Sequence, residues 1–194
     1  MGLRSAIVFC VTSFLLGTLF THWIADSLTL WKSPITDEHL WTAATYYSFL
    51  ARAPFILYFL TAVVALGAVA VLWSFLDGAA VNILFDGGSI FLFGTTIALY
   101  FYSVIPMIAA KFATLPAHQL KDPVPSSLRS ATLDLASTNL MCSVALTGVM
   151  LLQAGRFWTE RSDDSQAAAE LRRQTALLRK PLSRAMTPEP KKAS

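Results

Sequence analysis

Charge is scarce in this sequence. Asp, Glu, Lys and Arg supply 14% of its 194 residues and hydrophobic residues 55%, whereas a soluble domain carries about 25% charge. So little charge cannot cover so much apolar surface in water, and the charges that exist fall between long stretches that hold none. Cysteine is scarcer still. Cys10 and Cys142 stand apart, with no CxxC or Cys/His cluster, so no disulfide framework, metal site or cofactor is implied. Asn82 and Asn139 are the two asparagines and neither opens an N-x-S/T acceptor, so native glycosylation cannot report topology.

What is present is apolar length. Four charge-free stretches, residues 5–25, 53–76, 87–110 and 135–155, each reach the roughly 20 residues that a helix needs to cross about 30 Å of hydrocarbon. The expected fold is an all-α, polytopic integral membrane protein with four transmembrane helices. It divides into a membrane domain, residues 1–158, and a basic, largely flexible cytosolic tail, residues 159–194. The first stretch reads as a retained helix rather than a secretory signal. Its apolar run, residues 7–24, exceeds the roughly 7–15 residues of a signal core, and bulky His22 and Trp23 stand where a cleavage site would need small residues.

Residues 26–52 carry Trp31, Trp41, Tyr46 and Tyr47, aromatics suited to the headgroup layer, with Thr36 or Asp37 opening a short interfacial helix. Asp86-Gly87-Gly88-Ser89 reads as a turn and cap for the third helix, and the proline-broken stretch 111–134 as a loop. In the tail, residues 162–180 follow a Ser-Asp-Asp cap and reach a stop at Pro181. Ten of the 15 Lys and Arg lie on the side of the termini, and this positive-inside bias makes both termini cytosolic.

Chemistry inside a membrane usually shows itself as ionisable groups within spans, where each costs about 2.5–3.5 kcal/mol on insertion scales. None of the four charge-free stretches holds Asp, Glu, Lys or Arg. His22 reads as an interfacial polar residue open to water, His39 and His118 as loop residues, and Asp134 as a charge at the start of the fourth helix. The helices instead show small and uncharged polar residues at helical spacing: Ser13, Gly17 and Thr21 in the first; Ser89, Thr96, Tyr100 and Ser103 in the third; Asn139, Ser143 and Gln153, with Leu146 and Met150, in the fourth. Such faces serve helix contacts, within the bundle or with other membrane helices. Pro106 implies a kink in the third helix.

Three segments carry a resemblance: Phe14-Leu-Leu-Gly-Thr-Leu-Phe-Thr-His-Trp23 with Leu28-Thr-Leu-Trp31, Leu84-Phe-Asp-Gly-Gly-Ser-Ile-Phe-Leu-Phe93, and Leu151-Leu-Gln-Ala-Gly-Arg-Phe-Trp-Thr-Glu160. Over residues 13–160 the chain resembles the fungal endoplasmic-reticulum chaperones dedicated to amino acid permeases. The resemblance implies a non-catalytic packaging chaperone of that membrane. Such a protein shields permease helices from aggregation and assists their loading into COPII vesicles. Lys191 and Lys192 stand four and three residues from the end, the spacing of a dilysine retrieval signal read by the COPI coat. The partners expected are permeases, the two coats and membrane lipids, with no nucleic acid. The alternative is a small transporter, or an accessory subunit of one, using the polar faces of the third and fourth helices. No internal repeat of the kind transporters carry is visible.

Overall fold

The computed structural model describes residues 3–76 and 83–185. Its elements are α1 (Leu3–Leu30), α2 (Asp37–Ala51), α3 (Pro54–Leu76), α4 (Ile83–Leu99), a π-helical segment Tyr100–Val104, the three-residue α5 (Ile105–Met107), a second π-helical segment Ile108–Phe112, and α6 (Ser126–Ala185). Among the described residues the fold is all-helical, and four helical stretches are long and apolar enough to cross a membrane: Ser5–Leu30, Pro54–Trp73, Leu84–Phe112 and Ser126–Ala176. Chain contacts divide it into one unit ending at Ala154 and a second beginning at Gly155.

Two helices of the first unit are patterned in the same way. On α1 one buried series is Val8, Thr12, Leu15, Leu19, His22, Asp26 and Thr29, with Val11 and Ala25 buried beside it; on α6 it is Leu128, Thr132, Leu135, Asn139, Cys142, Leu146, Val149 and Gln153, with Ala131, Ala136 and Ala145 beside it. Both series alternate steps of three and four residues, the heptad spacing that keeps one stripe facing a partner helix. The two helices run antiparallel, since Asn139 meets Asp26 while Ser13 approaches the Met150 sulfur. α4 packs on α6 in the same sense, Gly88 against Leu152 and Gly148 against Leu92. α3 packs against α1 and α4. In hydrocarbon a buried Leu gains little over a lipid-facing one, so close fit supplies the attraction. The fit is tightest at Gly67, where a Cβ would lie 2.7 Å from Val11 Cγ1 and 2.8 Å from Phe93 Cζ.

α2 begins where Thr36 accepts the His39 backbone N–H, with Asp37 and Glu38 in its first turn, as a capped, dipole-matched helix should. Its buried residues Leu40, Trp41, Ala43, Ala44, Tyr47 and Ser48 form one stripe. That stripe closes a second core with Ala25, Val104, Phe112, Leu128 and Leu135. Trp41 and Tyr47 are therefore interior groups rather than headgroup anchors, whereas Trp31 is 65% exposed.

Several boundaries differ from expectation, and within the spans they do so for one reason. Backbone in a bilayer has no water to bond, so helices continue through residues that would end them elsewhere. α1 runs on past residue 25 and takes in Asp26. Asp86-Gly87-Gly88-Ser89 lies inside α4, with Ser89 Oγ donating to the Phe85 carbonyl at 2.7 Å. Residues 126–134 are helical, because Pro125 accepts the N–H groups of Leu128 and Arg129. Asp134 is thus well within α6 and caps nothing, and α6 passes Pro181 to reach Ala185. The disturbance around Pro106 takes the form of the two flanking π segments. Ile105 N–H reaches back to the Tyr100 carbonyl, one residue further than an α-helix would allow.

Candidate functional site

Continuation of α1 carries Asp26 into the protein, 2% exposed. Two hydrogen bonds reach its carboxyl and a third joins their donors. The Tyr47 hydroxyl donates to Oδ1, Asn139 Nδ2 donates to Oδ2 at 3.0 Å, and the same nitrogen donates to the Tyr47 oxygen at 2.9 Å. α1, α2 and α6 are pinned together at this point. Among the described residues no Lys or Arg pairs with Asp26, so the two donors alone compensate its desolvation, at about 1.5–3 kcal/mol for each bond to a charged group. Burial, reinforced by the nearby carboxyl, holds the Tyr47 hydroxyl well above the usual phenol range, which keeps it a donor. Asn139 Oδ1 is buried with no hydrogen-bond partner, at a cost of about 1–3 kcal/mol.

One turn before Asp26, His22 Nδ1 lies 2.7 Å from the Tyr46 hydroxyl, and the imidazole packs beside both tyrosine rings. Expected to be open to water, His22 is 5% exposed. The α2 end is closed by the stretch 113–125. There Trp41 stacks on His118 with ring centres 3.9 Å apart and donates from its indole to the Asp122 carbonyl at 2.9 Å.

Towards the other end of α6, Gln153 Nε2 donates to Ser89 Oγ at 2.9 Å and to Asp86 Oδ1 at 3.3 Å, with Asp86 again 2% exposed. Asn139 and Gln153 are two heptads apart, about 21 Å along the helix, and face the same side. α6 therefore presents one amide to each of two buried carboxyls on other helices. The spacing of the α1 seam was readable from sequence and would have placed His22 and Asp26 inside.

Of the residues singled out for helix contact, Ser89, Thr96, Asn139 and Gln153 are buried; Tyr100, Ser103 and Ser143 are partly covered. Ser89 and Gln153 meet directly. Ser13, Gly17 and Thr21 lie exposed, off the α1 seam, and a Cβ at Gly17 would meet nothing within 4 Å. Exposed hydroxyls bond to their own helices: Thr18 to Phe14, Thr21 to Thr18, Thr61 to Leu57 and Thr147 to Ser143. In the second unit residues 161–176 are exposed throughout, and Arg156 pairs with Glu160 at 2.8 Å. Lys191 and Lys192 lie outside the described residues.

Among the described residues no group of three His, Cys, Asp or Glu is placed to hold a metal. The SHR3 chaperone family, described as ER membrane protein SH3, matches the chain over residues 1–192. No curated protein and no solved structure matches it significantly.

Proposed function

The chain belongs to this family of endoplasmic-reticulum membrane chaperones for amino acid permeases, and from that premise we propose that it shields permease helices from aggregation and assists their loading into COPII vesicles. The observation that carries the reading is the division of polarity in the membrane unit. Asp26 and Asp86 are enclosed by α6, while the outer surface offers Phe55, Tyr58, Phe59, Leu66 and Val69 of α3 beside hydroxyls already bonded to their own backbones. Such a surface accepts many apolar helices through weak contacts and binds none permanently, since interhelical hydrogen bonds average about 0.6 kcal/mol. Family membership also implies a non-enzymatic role.

The exposed second unit suits soluble partners, and we assign coat presentation to it. Lys191 and Lys192 fit retrieval through COPI, and the Lys and Arg bias fits cytosolic termini. The test is to compare complete deletion with a chain ending after Glu160. Deletion should leave permeases aggregated in the endoplasmic reticulum, and the shortened chain should leave them dispersed but slow to exit. Normal permease export in the deletion would remove the chaperone reading and favour the transporter alternative.

A further inference from the structure

Arginine stands three residues before a hydroxyl at four places in the chain: Arg129 before Thr132, Arg156 before Thr159, Arg172 before Thr175 and Arg184 before Thr187. Only at Thr175 does a second arginine lie between, in the run Arg172-Arg173-Gln174-Thr175-Ala176-Leu177. The surroundings separate the four as well. Thr132 is 1% exposed and donates to the Leu128 carbonyl inside the first unit. Arg156 is committed to Glu160, and Thr159 is partly buried. Thr187 lies outside the described residues. Arg172, Arg173 and Thr175 are all exposed, and among the described residues no acid pairs with either arginine. Nearby Glu170 accepts from Gln174 at 3.3 Å instead.

Two guanidinium groups at a fixed distance before a hydroxyl suit a groove lined with carboxylates, since each fork donates bidentately to one carboxylate. In a helix Arg173 and Thr175 do not face the same way, so a groove that reads both arginines together with the hydroxyl takes the segment unwound. Thr175 Oγ1 then gives up its bond to the Leu171 carbonyl, 2.7 Å long in the helix. Residues 161–176 are exposed throughout, and a helix without a packed face opens at little cost. We propose that Thr175 is a phosphorylation site for a basophilic protein kinase, a proposal that rests on the reading of the tail as cytosolic. Oγ1 attacks the γ-phosphorus of ATP, the bond from that phosphorus to the β,γ-bridging oxygen breaks, ADP leaves, and the hydroxyl proton passes to a carboxylate of the kinase. The product carries a charge of about −1.5 to −2, enough to offset both arginines.

The full chain in detergent micelles should take up label from γ-labelled ATP and the catalytic subunit of the cyclic-AMP-dependent protein kinase, and peptide mapping should place that label on Thr175. Thr175→Ala should abolish the labelling and Thr175→Ser should retain it. Arg172→Ala and Arg173→Ala should each slow it about tenfold, as the loss of one charge-assisted hydrogen bond requires. In cells, a phosphate-affinity gel should show a retarded band that Thr175→Ala removes. Label on another hydroxyl, rates indifferent to the arginines, or no band in cells that depends on Thr175 overturns the proposal and leaves the orientation of the tail untouched. The same reaction on sealed endoplasmic-reticulum vesicles, cytosolic face outward, should label Thr175 without detergent. Labelling there only after detergent overturns the proposal together with the cytosolic reading.

Discussion

Asn139 holds three helices through one amide nitrogen, and its replacement tests whether the cluster acts as a unit. Asn139→Leu leaves Asp26 Oδ2 without a donor and should cost about 1.5–3 kcal/mol, read as thermal unfolding in detergent micelles. Asp26→Leu strands the donors on the other side of the same bonds. The double variant should be less damaged than the sum of the two, with a coupling of about 1 kcal/mol, and strict additivity would mean that the groups do not interact. Glycine substitutions give a second ranking. Gly67→Ala drives a methyl into Val11 and Phe93, whose branched and ring atoms have little room to turn, and should cost about 1–3 kcal/mol. Gly148→Ala meets only the Leu92 Cδ1 at 2.7 Å, the tip of a rotatable side chain, and should cost less. If the two losses came out in the reverse order, the α1, α3 and α4 contact would not be as tight as described.

Elements were legible where a single period governed them. The four apolar runs of about 20 residues fixed the number of spans, and Thr36 with Asp37 located the start of α2, because a cap is local chemistry. What escaped was set by partners distant in the chain. Asp86-Gly87-Gly88-Ser89 has the composition of a turn, yet Gly88 is needed where Leu152 approaches and Ser89 bonds its own helix. Trp41 and Tyr47 resemble interfacial anchors until Asp122 and Asp26 are found beside them. A charge argues against a span and puts Asp26 in the interfacial segment 26–52, although its place in the three-four spacing of α1 argues the other way. The link from Trp41 to the stretch 113–125 can be checked directly. Trp41→Leu removes the Asp122 bond and the His118 stack, and should expose Lys121 to trypsin several-fold faster in reconstituted protein, by the usual worth of one neutral hydrogen bond. Unchanged cleavage would mean that the stretch is held by other contacts.

At the scale of the whole molecule, the carboxyls and their amide partners sit at opposite ends of the chain's making. Asp26 belongs to the first span and Asp86 to the third, while Asn139 and Gln153 are both on α6, which leaves the ribosome after both. Until α6 arrives, the first span holds Asp26 without its Asn139 donor, at a cost of up to about 2.5–3.5 kcal/mol in hydrocarbon. A chain ending at residue 125 should therefore be cleared faster than the full chain in a pulse-chase measurement, and residues 126–194 supplied as a separate polypeptide should slow its loss. Equal lifetimes without that supplement would show that the earlier spans satisfy themselves. Asn139 thus acts as a late proof of completion, because an interrupted copy keeps Asp26 without its amide donor and is marked for removal by its own polarity.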